Sequence, residues 1–145
     1  MTNSMRIAEP GERRTPDVSE RAIELRVSAT VENLVAVRAV VAAIAASEDL
    51  DFDTVADLRL AVDEACTALI RASLPGADLE LVIDPGPEAF VVRACTTRSA
   101  GNVVEPGGFS WHVMKSLVDE VGAIPVFDGA PAGIRLLMRR MSSYR

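Results

Sequence analysis

The chemically capable side chains in this chain are few, and their densest run is Asp57, Ala61, Glu64, Ala68 and Arg71. Spacings of four, three, four and three place all five on one face of a helix. Small residues set between acids and an arginine leave room for something to sit against that face. Other candidates are weaker. His112 is the single histidine and has no cysteine or acid at ligand spacing, which argues against a metal site. Cys66 and Cys95 lie outside any Cys-x-x-Cys pair and read as small buried hydrophobes rather than nucleophiles. No serine, histidine and aspartate can be argued into a triad. Arg139, Arg140 and Arg145 gather near the end, where the simplest reading is a solvated terminus.

The elements that must hold these residues follow from periodicity. Residues 1–20 are polar, carry two prolines and read as a disordered leader, with one domain over 21–145. Ala22 to Val27 alternates apolar and polar, as a half-buried strand does. Leu34, Val37, Val41 and Ile44 form one apolar stripe of a helix over roughly 31–47, with Ser28 or Thr30 available as its cap and Arg38 beside the stripe. Asp51 to Thr54 is a turn with an N-cap for a second helix over roughly 54–73, which Leu74-Pro75-Gly76 ends. Its buried stripe is Leu58, Val62, Ala65 and Leu69. Strands at 79–84 and 89–94 flank Pro85-Gly86-Pro87-Glu88 and predict an antiparallel hairpin. A loop over 96–108, a short helix over 110–118 and strands at 121–127 and 133–141 complete the chain. The order β-α-α-β-β-α-β-β predicts an α/β fold, a two-layer sandwich with helices on one face of a mostly antiparallel sheet.

Composition narrows the function classes. With 145 residues, 49% hydrophobic and 4% aromatic, the chain can bury one core, and that core must be aliphatic. No apolar run approaches the roughly 20 residues of a membrane span. Two cysteines suit reduced thiols and a cytoplasmic setting. A net charge of −6 argues against a protein that grips nucleic acid by its phosphates.

Four stretches, in order, carry a resemblance. They are Ser28 to Asn33 running into Arg38 and Ala42-Ala43, then Leu60-Ala61-Val62-Asp63-Glu64-Ala65-Cys66-Thr67, then Gly108 to Val121 with its Leu-Val-Asp-Glu-Val ending, then Gly133 to Met138. Together they resemble the anti-sigma-factor serine kinases of the GHKL (Bergerat) ATPase superfamily, nearest the actinobacterial branch that restrains a stress-response sigma factor. The resemblance covers about residues 22 to 141. It implies a sandwich with ATP between sheet and helices. It also implies sequestration of a sigma factor, release by an anti-sigma-factor antagonist that the kinase phosphorylates, and a homodimer.

Carried over residue by residue, the resemblance makes Glu64 the general base. Arg38 becomes the contact to sigma factor and antagonist, a role a guanidinium fork suits. It also exposes departures. Ala68 stands where the family has a magnesium-binding asparagine, and an alanine has no oxygen to offer Mg²⁺. Ala94 stands where an aspartate normally meets adenine, and the two glycines that should follow are absent from Ala94-Cys95-Thr96-Thr97-Arg98. Gly108 is kept, but Ser110 replaces the next glycine; its helix still starts with N–H groups suited to a phosphate. Gly133 is kept, with Ile134 in place of a threonine. Arg71 has three readings: a phosphate contact, a partner for Glu64, or a solvated arginine. The expectation is an anti-sigma factor with weak ATP and Mg²⁺ binding and slow or absent kinase activity. The rival is a working serine/threonine kinase. A histidine-kinase fragment is disfavoured, because no phospho-acceptor histidine helix precedes the domain.

Overall fold

The computed structural model describes residues 3–7, 18–100, 105–124 and 132–140. Strands are β1 (Ser4–Ile7), β2 (Ile23–Ser28), β3 (Asp78–Pro85), β4 (Ala89–Thr96), β5 (Glu120–Ile124) and β6 (Ala132–Arg139). Helices are α1 (Leu34–Ala46), α2 (Phe52–Ala72) and α3 (Phe109–Leu117), with a 3-10 turn at Val31–Asn33. The strands form one sheet in the order β1-β2-β3-β4-β6-β5, and every neighbouring pair is antiparallel.

Strand parity decides which face is buried. In β3, Leu79, Leu81 and Ile83 point one way; in β4, Phe90, Val92 and Ala94 share that face, as do Ile134, Leu136 and Met138 in β6. All are at most 8% exposed and pack under the helical layer. From α1 come Leu34, Val37, Val41 and Ala45, and from α2 the stripe Leu58, Val62, Ala65 and Leu69. The other face of the sheet carries charges instead. There Arg26 bridges Asp78 at 2.7 Å and Glu80 at 3.2 Å.

Local chemistry fixes the element ends. The Asp51 carboxylate accepts from the Thr54 N–H at 2.7 Å and caps α2. That bond holds the Asp51 pKa below its usual value. The start of α1 departs from expectation. Neither Ser28 nor Thr30 caps through its side chain; Asn33 Nδ2 instead donates to the Ser28 carbonyl at 2.8 Å and steers the chain from strand to helix.

Two further expectations need correction. The leader is not wholly without structure, because Ser4–Ile7 pairs with β2 as an edge strand. Its four residues are too short to show a period, and the open edge of β2 supplies the hydrogen bonds. The arginines near the end are not all solvated either. Arg140 Nη2 donates to Glu48 Oε1 at 2.8 Å, Nη1 to the Glu48 carbonyl at 3.0 Å and Nε to the Gly86 carbonyl at 2.7 Å. Glu48, with its side chain 6% exposed, also pairs with Arg21. This knot ties the end of β6 to the α1–α2 connection and the β3–β4 turn. Arg139 pairs with Glu120, whereas Arg145 and the turn at 128–131 lie outside the described residues.

Candidate functional site

The α2 face picked out by spacing does line the junction with α3, and it is graded along its length. Ala61 is fully buried, Asp57, Glu64 and Ala68 are half-buried, and Arg71 is exposed. The helix α3 packs against α2, so part of the room expected beside this face is filled by protein.

Glu64 and Ser110, predicted separately, are brought together. The Ser110 hydroxyl donates to Glu64 Oε2 at 2.7 Å and fastens the first turn of α3 to the middle of α2. Gly107, at φ +89, makes the left-handed step into that turn, which an L side chain rarely adopts. Gly108 follows as the helix N-cap. Arg71 does not reach Glu64 and forms no hydrogen bond or ion pair among the described residues.

Ala94 is 1% exposed, opposite Leu81 on one side and Ile134 on the other. Its side chain therefore belongs to the aliphatic core. Gly133 is required by that same packing, since a Cβ there would collide with the Ala94 carbonyl oxygen and Cys95 Sγ. From the last residue of β4 onward, the stretch where a glycine-rich loop was sought is sewn onto the end of α2. Thr96, fully buried, places its hydroxyl 2.6 Å from that of Ser73, and the Leu74 N–H donates to the Arg98 carbonyl at 2.9 Å. The Ala100 N–H donates to the Ala72 carbonyl at 3.3 Å, and Arg98 Nη1 to the Pro75 carbonyl at 3.0 Å. Sequence reasoning missed the Ser73–Thr96 pair, because the two lie on elements distant in the chain.

These donors do not fit a tightly held magnesium nucleotide. Ala68 and Ala94 have no side-chain oxygen, the Thr96 hydroxyl is spent within the protein, and the Glu64 carboxylate is engaged by Ser110. Among the described residues, no group of three or more His, Cys, Asp or Glu is placed to hold a metal ion. Cys66 is fully buried, and burial pushes its thiol up to about 12. Cys95 is half-buried rather than buried as expected, because its place in β4 puts it on the opposite face from Ala94; partial burial still raises its pKa, so neither thiol is activated. His112 sits exposed on α3.

On the outer side of the helices, Arg38 is half-exposed, and its Nε–H donates to Asp63 Oδ1 at 2.7 Å, joining α1 to α2. The bond raises the Arg38 pKa further, so the guanidinium stays charged. Val35 on α1 and Leu60 on α2 are 68% and 57% exposed, and Val31, in the 3-10 turn before α1, is 60% exposed. None belongs to the apolar stripes that the spacing assigned to the core.

Comparison with known proteins adds three findings. The profile of the histidine kinase-like ATPase domain family matches residues 27–140. The anti-sigma-F factor RsbW of Mycobacterium tuberculosis (strain CDC 1551 / Oshkosh) is 52% identical over 130 residues, covering 86% of this chain and 77% of the relative; its counterpart in strain ATCC 25618 / H37Rv gives the same values. A crystal structure of the RsbU and RsbW domains of Rv1364c from Mycobacterium tuberculosis aligns with a TM-score of 0.58 at 15% identity, over 80% of this chain. That likeness concerns the fold alone, and this chain spans about a third (32%) of that longer chain.

Proposed function

This chain belongs to the histidine kinase-like ATPase domain family, in the branch of the anti-sigma-F factors, and from that premise we propose that it is an anti-sigma factor working by sequestration. The observation that carries the reading is the 52% identity to an anti-sigma-F factor across 86% of this chain. The scaffold is kept while the side chains that would hold magnesium and adenine are replaced by Ala68 and Ala94, which favours holding a partner over transferring phosphate.

In this reading a stress-response sigma factor docks on the helical layer around Arg38 and is kept from RNA polymerase. An anti-sigma-factor antagonist competes for the same arginine and releases it. The chain acts in the cytoplasm and pairs with a second copy of itself. Nucleotide binding is weak, and regulation runs mainly through competition between proteins. The N-terminal turn of α3 with Ser110, and Gly133 beside β4, are what is left of a phosphate end.

The test is transcription in vitro from a sigma-F-dependent promoter, using the sigma-F factor encoded in the same genome. Added chain should suppress the transcript without nucleotide. Undiminished transcription at a large excess would end the reading. Glu64→Ala serves the kinase rival: a parent chain that phosphorylates the antagonist, and a variant that does not while still holding the sigma factor, would put the enzyme first.

A further inference from the structure

We infer that Asp63 is a positioning residue for the partner surface: it holds Arg38 by one nitrogen and leaves the outer edge of the guanidinium for a carboxylate on the partner. The inference rests on the anti-sigma reading above and adds to it a second residue and the chemistry of the docked group.

The contact itself is one-sided. Arg38 meets Asp63 through Nε alone, at 2.7 Å, and no bond from Nη1 or Nη2 to another described residue accompanies it. A guanidinium presents two edges to carboxylates, and the Nη1–Nη2 edge accepts one in a bidentate fork. An arginine gripped by Nε therefore keeps one bidentate edge while losing much of its rotamer freedom. Both side chains are partly open, at 44% for Arg38 and 32% for Asp63, so the edge can be reached.

The surroundings fit a docked protein segment. Val35 lies three residues before Arg38 on α1, hence on the same helical face, and is 68% exposed; Val31, in the 3-10 turn before α1, is 60% exposed. Leu60 lies one turn before Asp63 on α2 and is 57% exposed. A charged fork within an aliphatic border is the composition of an interface centre, where arginine is enriched and other charges are depleted. The group that fits it is an Asp or Glu side chain of the partner, flanked by apolar residues.

Holding an arginine in place beforehand removes an ordering penalty on binding, which for one long side chain corresponds to about a three- to ten-fold gain in affinity. Asparagine at 63 keeps an oxygen to accept the Nε–H bond and removes the negative charge, whereas alanine removes both. Calorimetry of the full chain against the sigma-F factor of the same genome should give parent-like or tighter binding for Asp63→Asn and a loss of about three- to ten-fold for Asp63→Ala. Melting temperatures should stay near the parent's, since an exposed pair adds little stability. If both variants bind tighter, Asp63 competes with the partner and the inference is overturned. If neither changes, it is a bystander and the inference is again overturned, while Arg38→Ala then judges the reading beneath it. Loss of binding in Arg38→Ala with parent-like Asp63→Ala leaves the anti-sigma reading standing without this inference; unaltered binding in Arg38→Ala sinks the assignment of this surface altogether.

Discussion

Substituting Ala94→Asp puts back the carboxylate that the resemblance expects at the adenine end, and the structure sets what that should cost. Position 94 is 1% exposed and lies between Leu81 and Ile134, each also 1% exposed. A carboxyl group there has no water and no donor, so it stays protonated in the folded chain. Keeping an acid of ordinary pKa near 3.9 neutral at pH 7 costs about 4 kcal/mol, which for a domain of this size lowers the melting temperature by about 8–16 °C. The sign with pH follows. The folded variant keeps a proton that the unfolded chain loses above about pH 4, so its deficit grows by about 1.4 kcal/mol per pH unit from there and levels off above the raised pKa. Urea denaturation of parent and variant at pH 4.5 and pH 7 reads both quantities. A variant within about 1 kcal/mol of the parent at pH 7, with parallel pH dependence, would mean that position 94 opens into a wet cleft, and the argument against a fitted adenine site would fail.

Other consequences are as direct. Arg140→Ala leaves the buried Glu48 with Arg21 as its one remaining ion-pair partner among the described residues and should destabilise the chain by about 2–3 kcal/mol in urea melts; a change under about 0.5 kcal/mol would mean the knot is idle. Cys66, with its thiol near 12, should resist disulfide-exchange reagents until the chain is unfolded, and rapid labelling in native buffer would contradict its burial. Trp111, half-buried on α3 beside Ser110, should keep its emission unchanged as MgATP is raised to millimolar; a saturable change would bring the kinase reading forward.

The sequence carried much of this architecture where a single period dominates. The α2 stripe Leu58, Val62, Ala65 and Leu69 is buried as its spacing requires, and the N-cap expected within Asp51 to Thr54 is Asp51, with the helix starting at Phe52. The antiparallel hairpin expected there is present, with Pro85 opposite Phe90 and Asp84 opposite Val91. Parity within β4 even contained the fate of Ala94, which shares a face with Phe90 and Val92. What could not be read were contacts between elements distant in the chain. Asp63 stands next to Glu64, yet one reaches α1 and the other α3, and no spacing rule distinguishes those directions. Arg140 looked like a tail residue because Glu48, 92 positions away, carries no mark of burial in a sequence. The edge strand Ser4–Ile7 depends on β2 offering an open edge, which is a property of the sheet rather than of its own four residues.

The most direct test of the account is calorimetric titration of the chain with the sigma-F factor of its own genome, first without nucleotide and then in millimolar MgATP. The account predicts a saturable complex whose affinity is the same in both buffers. No complex in either buffer, or one that forms only with MgATP present, would contradict it.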